Sequence, residues 1–211
     1  MPELPEVETV RRGLESWIVG RKIKELTMIH PGGNRSSTFA PVAAVNGAKV
    51  RALHRRGKFL WFDVNRDFAL VAHLGMSGQF VIQDKKKPDE KHLRVRIDCG
   101  DRRKEVRFID QRTFGWVAID ALVEENGVLI PESFGRIAPD IFDPQFNRAY
   151  VIAKIMKKKS AIKRVLLDQS VMSGVGNIYA SEALFLAGIR PTLRADRLSK
   201  PRAEKLRLAV I

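Results

Sequence analysis

Phe59-Leu-Trp-Phe-Asp-Val64 and Phe68-Ala-Leu-Val-Ala-His73 stand on either side of Asn65-Arg66-Asp67. Each run is short, almost unbroken in apolar character, and rich in aromatic or branched residues. The polar residues between them favour a turn. Such a pair reads as two strands of one sheet. The same pattern recurs outward from it. Upstream candidates are Lys22–Ile29 and Ala48–His54; downstream ones are Gln79–Ile82, Leu93–Asp98, Glu105–Ile109 and Trp116–Ile119. Turns rich in Gly, Asn and Asp separate most of them. Many short strands at this spacing predict a sandwich or a barrel.

The flanks of this region read as helix. Leu4, Val7, Val10 and Leu14 recur at spacings of three and four, which predicts a helix over residues 5–16. Pro5 suits its start, and Glu6 and Glu8 suit the positive end of its dipole. After about residue 140 the period becomes helical again, with candidates at Pro144–Lys158, Ala161–Asp168, Ile178–Ala187 and Pro201–Ile211. Phe134–Pro144 reads as the connection. The expected class is α+β, with an N-terminal helix and β-sandwich domain over 1–133 and a helical domain over 134–211. The last helix has no glycine or proline to close it and stops on apolar residues. The chain is expected to end inside an element.

Composition narrows the classes of function. The chain has 211 residues, 45% of them hydrophobic, too many for a disordered protein. No apolar run reaches the roughly 18–20 residues of a membrane span. The acidic, proline-rich start is the opposite of a secretory signal. Cys99 is the one cysteine, which excludes a disulfide framework and a four-cysteine zinc site. Lys and Arg number 38 against 24 Asp and Glu, a net charge of +14. Residues 151–211 hold 13 of those cations and 4 of the anions, so the excess is concentrated there. A soluble, intracellular protein with a polyanionic partner, most often nucleic acid, fits this distribution.

Five stretches carry candidate chemistry. Removal of Met1 leaves Pro2 with a secondary amine, a nucleophile that forms an imine with an aldehyde carbon. Glu3 and Glu6 stand beside it as proton donors, or simply as first-turn acids of a helix. Arg55-Arg-Gly-Lys58 crowds three cations onto a turn that grips phosphate, moves protons through Lys58, or is merely exposed. His73-Leu-Gly-Met-Ser-Gly78 presents Met76 on a sharp loop as an apolar wedge for a base stack, unless that methionine is core. Asp110-Gln-Arg-Thr-Phe-Gly115 places Arg112 and Phe114 on another loop, able to stack on or replace a base, unless Phe114 is buried in a hairpin. Lys157-Lys-Lys-Ser-Ala-Ile-Lys163 precedes Ser173-Gly-Val-Gly-Asn177, a glycine-rich hairpin opening a helix whose amides suit phosphate. Asn177 either caps that helix or donates to a phosphate.

In this order the five stretches resemble the bacterial formamidopyrimidine-DNA glycosylase family, which excises oxidised purines. The resemblance runs from Pro2 to about Pro191. Leu4 favours this family over its endonuclease VIII-like relatives. It implies a helix-two-turn-helix domain after the sandwich, and double-stranded DNA carrying oxidised purines (8-oxoguanine, formamidopyrimidines) or abasic sites as partner. It implies a monomer in the bacterial cytoplasm, at the nucleoid. Residue by residue, it implies Pro2 as the nucleophile at C1′, Glu3 as proton donor to the sugar, Glu6 as an aid to positioning or proton relay, and Lys58 in phosphate binding and β-elimination. Met76, Arg112 and Phe114 would fill the gap left by an everted base, with Arg112 facing the orphaned cytosine. His73, His92, Arg112, Lys158 and Asn177 match DNA-contacting positions, and Lys163 a lesion-handling lysine.

The chain departs from the family pattern in three ways. The family's four-cysteine zinc finger has no counterpart here, so no cofactor is expected in this chain. The lesion-binding loop lies beyond it, and Thr113 stands where many members have a second arginine. An active glycosylase with abasic-site lyase activity is therefore weighed against a truncated, impaired or purely binding relative. A sugar-phosphate enzyme using the same amine leaves the wedge loops unexplained.

Overall fold

The computed structural model describes residues 2–30 and 39–211, and the chain divides between Gly135 and Arg136 into two compact units. In the first unit, helix α1 (Leu4–Ile18) precedes nine strands among the described residues. These are β1 (Glu25–Met28), β2 (Val50–Arg56), β3 (Phe59–Val64), β4 (Phe68–His73), β5 (Gln79–Asp84), β6 (Leu93–Asp98), β7 (Lys104–Ile109), β8 (Trp116–Glu125) and β9 (Val128–Pro131). They form two antiparallel sheets, in the orders β1-β6-β7-β5 and β2-β3-β4-β8-β9. The α+β class expected from the periodicity holds.

The two sheets share one core. Leu60, Phe62 and Val64 of β3 meet Leu70 and Ala72 of β4, Val95 and Ile97 of β6, and Val106 and Phe108 of β7. The apolar run at 59–64 is nearly unbroken because β3 is covered on both faces. Leu60 and Phe62 enter the shared core, while Phe59 and Trp61 pack under Phe134 with ring centroids 5.3 and 5.4 Å away. On β7 the alternation is different. Val106 and Phe108 face the core, and the fully buried Arg107 faces out, where it donates to Glu105 (2.8 Å), Glu90 (3.0 Å) and the carbonyl of Lys87 (2.9 Å). That guanidinium pins the 84–90 excursion onto the sheet.

Several boundaries differ from the sequence reading. The strand expected over 22–29 keeps only residues 25–28, with an isolated bridge between Lys22 and Lys49 before it. The strand expected at 48–54 shifts to 50–56. The β8–β9 hairpin extends the second sheet well past the expected Ile119. Asn126 and Gly127, with φ of 53° and 79°, make its tight turn.

The second unit contains α2 (Arg148–Met156), α3 (Ile162–Leu167), α4 (Asn177–Ala187) and α5 (Lys200–Val210). Val151, Ile155, Ile162, Val165, Leu184 and Leu206 form its core. Helix α2 starts later than the expected Pro144. Asp140 and Asp143 first close two turns by accepting the amides of Phe142 and Gln145, and Asn147 then caps the helix by accepting the Tyr150 amide at 3.0 Å. Among the described residues no helix is long and apolar enough to cross a membrane.

Candidate active site

The N-terminal cluster is built by the start of α1. Glu3 is its N-cap, buried, and its amide donates to the Glu6 carboxylate at 2.9 Å, closing a capping box. Glu6 thereby fixes Glu3, the residue that follows the half-buried Pro2. Met1 lies outside the described residues. Of the acidic residues, Glu6 alone sits in the first turn. Glu8 falls a turn later and takes on a different task.

Glu8 accepts from Arg11 (3.0 Å), Arg12 (2.8 Å) and Arg55 (3.0 Å). Burial raises its pKa, but those three guanidinium bonds outweigh that effect and bring it down to about 2. Arg55 in turn donates to the carbonyl of Gly57 at 2.9 Å. Gly57 has φ +59°, the sign that a two-residue type II′ hairpin asks of its first turn position. Lys58 is the second position of that β2–β3 turn. The chain Glu8–Arg55–Gly57 therefore ties the turn holding Lys58 to α1, the helix that Glu3 caps. Arg55 and Arg56, read from the sequence as phosphate grips, are occupied otherwise. Arg55 serves the brace, and Arg56 donates to Glu125 at 2.6 Å.

Lys58 is 5% exposed. Burial pushes its ammonium below the usual lysine range, and the Glu3 carboxylate pulls the other way. Glu3, the buried Lys58 and Pro2 next to Glu3 thus share one corner of the first unit. A lysine in that setting gives up its proton more readily than an exposed one.

The wedge candidates stand on two neighbouring loops. His73 ends β4 between Phe59 (4.7 Å) and Trp116 (6.0 Å), and its Nδ1 accepts the Gly75 amide at 3.1 Å. Met76 follows and is 40% exposed. Phe114 is 57% exposed, which removes the reading of a buried hairpin aromatic, and the Arg112 guanidinium lies 5.5 Å from its ring. The His92 carbonyl accepts the Asp110 amide at 2.9 Å, so His92 borders the same loop. Sequence reasoning gave no role to Asp110, Ser77 or Arg94. Asp110 is fully buried and accepts from Ser77 Oγ (2.5 Å), the Gly115 amide (2.6 Å) and the Arg112 amide (3.2 Å). An aspartate at a loop start with a glycine five residues on was the available signal.

In the second unit, Lys163 Nζ donates to Ser181 Oγ at 3.0 Å, and Ser181 donates to the Asn177 carbonyl at 2.8 Å. Lys163 and Asn177 are brought together through that serine. Lys158 is held separately, by Asp168 at 2.9 Å. Asn177 does not cap α4. Gly176 is the N-cap, and Asn177 is the exposed first helical residue, which leaves its side chain clear of the capping position. Gln169 shapes the hairpin before it, accepting the Gly174 amide and donating to the Val175 carbonyl.

The zinc that the resemblance implies for the family does not fit these residues. Among the described residues no three His, Cys, Asp or Glu side chains group to hold a metal. Cys99 is buried, and burial raises its thiol to about 11, the wrong direction for a thiolate ligand.

A β-sandwich headed by such a helix, followed by this four-helix unit, defines the class: a DNA glycosylase of the helix-two-turn-helix type. Residues 1–117 match the model of the formamidopyrimidine-DNA glycosylase N-terminal domain, and residues 137–211 match that of the family's H2TH domain. The chain belongs to the formamidopyrimidine-DNA glycosylase family. It is 45% identical to the formamidopyrimidine-DNA glycosylase of Salinispora arenicola, over 98% of this chain and 71% of that one. It is 48% identical to that of Rhodococcus opacus, over 96% and 71% respectively. Among solved structures it resembles the Lactococcus lactis enzyme non-covalently bound to DNA containing an abasic site, with a TM-score of 0.85 at 30% identity, covering 99% of this chain and 78% of that one. A MutM complex with DNA containing carbocyclic 8-oxoguanine gives 0.84 at 32%, covering 99% and 76%.

Proposed function

We propose that this chain is a bacterial, cytoplasmic base-excision enzyme that removes oxidised purines from duplex DNA and cleaves the resulting abasic site. Pro2 is the nucleophile. Its nitrogen attacks C1′ as the bond to the base breaks, and the base leaves with a proton. Glu3 protonates the ring oxygen, the sugar opens, and an iminium joins Pro2 to C1′. The iminium acidifies the C2′ proton. Lys58, made less basic than an ordinary lysine by burial, accepts that proton, and the 3′ phosphate departs by β-elimination. Hydrolysis of the imine frees Pro2.

The remaining site residues act on the duplex. Met76, Arg112 and Phe114 fill the gap left by the everted nucleotide, and Arg112 faces the orphaned base. His73, His92, Lys158 and Asn177 contact the DNA, and Lys163 handles the lesion. Steep loss of affinity with salt follows from the charge excess.

The observation that carries this reading is the corner where Glu3, fixed by Glu6, meets a buried Lys58 on a turn braced to the same helix. Borohydride trapping on DNA with a preformed abasic site is the test. The chain should form a covalent adduct, and Pro2→Gly should lose at least nine-tenths of it. Binding without any adduct from the unmutated chain overturns the catalytic reading in favour of a purely binding relative.

A further inference from the structure

The hydrogen bonds around Asp110 join two loops that the sequence keeps more than thirty residues apart. A buried carboxylate is stable only when its acceptor capacity is filled, and here both loops supply the donors. Ser77, on the Met76 loop, donates to Asp110 and at the same time accepts the Arg112 amide at 3.0 Å. Arg112 and Gly115, on the other loop, donate their amides to the same carboxylate. Backbones meet as well. A Cβ on Gly75 would lie 2.4 Å from Gly115 N and from Phe114 C, and one on Gly115 would lie 2.6 Å from the Phe108 ring.

A second brace fixes how Arg112 and Phe114 diverge. Thr113, between them, has φ +58°, a left-handed conformation unfavourable for a branched residue. The mostly buried Arg94 holds it there, donating to Thr113 Oγ1 at 2.9 Å and to the Asp110 carbonyl at 2.8 Å.

We propose that Ser77 and Asp110 are positioning residues that lock the Met76 loop and the Arg112–Phe114 loop into one rigid wedge, so that both enter the base stack as a single body. This rests on the reading of Met76, Arg112 and Phe114 as gap-filling side chains. A wedge must unstack bases as it enters. Two loops that moved independently would pay their own ordering entropy at that moment, whereas two loops already joined do not.

The test compares Ser77→Ala, Asp110→Asn and Ser77→Thr in the full chain. One readout is single-turnover excision of 8-oxoguanine from duplex DNA, which needs eversion. The other is borohydride trapping on a preformed abasic site in single-stranded DNA, which does not. Ser77→Ala and Asp110→Asn should slow duplex excision about 10- to 100-fold, the factor one hydrogen bond to a charged group is worth. Single-strand trapping should stay within about twofold, and Ser77→Thr, which keeps the hydroxyl, should restore most of the duplex rate. Fluorescence of 2-aminopurine beside the lesion should rise more slowly in the two impaired variants. Equal losses in both substrates would reduce Asp110 to a general fold residue, and unchanged duplex excision would remove the lock altogether. Met76→Ala separates the two layers. If it excises like the unmutated chain, the gap-filling reading fails on its own account.

Discussion

Replacing Glu8 with Gln should destabilise the first unit by an amount that shrinks as the pH falls. Glu8 is 15% exposed and holds three guanidinium groups, one of them the 5% exposed Arg55. Its carboxyl lies at about 2 in the folded protein against 4.5 as the ordinary value. A displacement of that size is worth about 3 kcal/mol. Because the folded value is the lower one, the stabilisation is complete above about pH 4.5 and drains away as the pH falls towards 2. Thermal melts of the unmutated chain and Glu8→Gln should therefore differ by about 10 °C at pH 7, by about a quarter of that at pH 2.5, and converge only below about pH 2. Glu15→Gln is the matched control. That side chain pairs with Arg11 at 2.7 Å but is 43% exposed, so its loss should cost under ~1 kcal/mol at any pH. Strand cleavage gives a second readout, since Arg55 carries the brace on to Gly57 and hence to Lys58. Glu8→Gln should slow cleavage more than it slows DNA binding. A Glu8→Gln melting difference that is absent at neutral pH, or undiminished at pH 3, would refute the brace.

Gly75→Ala should cost the first unit upwards of ~3 kcal/mol in denaturant melts, because a positive φ of 61° coincides with backbone atoms 2.4 Å from the new carbon. Gly100→Ala shares a positive φ of 74° but meets nothing within 4 Å, so it should cost only about 1 kcal/mol, and equal losses would mean that the loops do not touch as described. For the lysine, cleavage of preformed abasic DNA should climb with pH and level off below the ordinary lysine value of 10.5, because burial lowers the folded pKa and enlarges the neutral fraction. Lys58→Arg, which keeps the charge but cannot surrender its proton, should lose that climb while retaining the borohydride adduct.

The fold was legible where local signals agreed. β3 and β4 flank a polar turn, are apolar at every position but Asp63 and His73, and both run over the expected residues. Signals were also present and unread. Asn126-Gly127 is a strong hairpin dipeptide, and it makes the β8–β9 turn. Asn147 is a good N-cap, and it starts α2 in place of Pro144. Within the site, the residue types were readable but their contacts were not. Arg55 looks like a phosphate ligand until Glu8, forty-seven positions away, occupies it. Asp110 looks like an ordinary turn aspartate until Ser77 arrives from the loop joining β4 to β5. Such pairings depend on strand order, which no local pattern encodes.

The solitary thiol at position 99 has a practical consequence. It is buried, and burial makes it reluctant to ionise, so maleimides and other sulfhydryl reagents should react with it slowly. A cysteine engineered onto the surface would therefore be the preferred point of attachment. A dye placed at the tip of the 74–78 loop would report mainly on that loop, and a change in its signal on adding duplex DNA would be a direct check on whether the loop enters the stack.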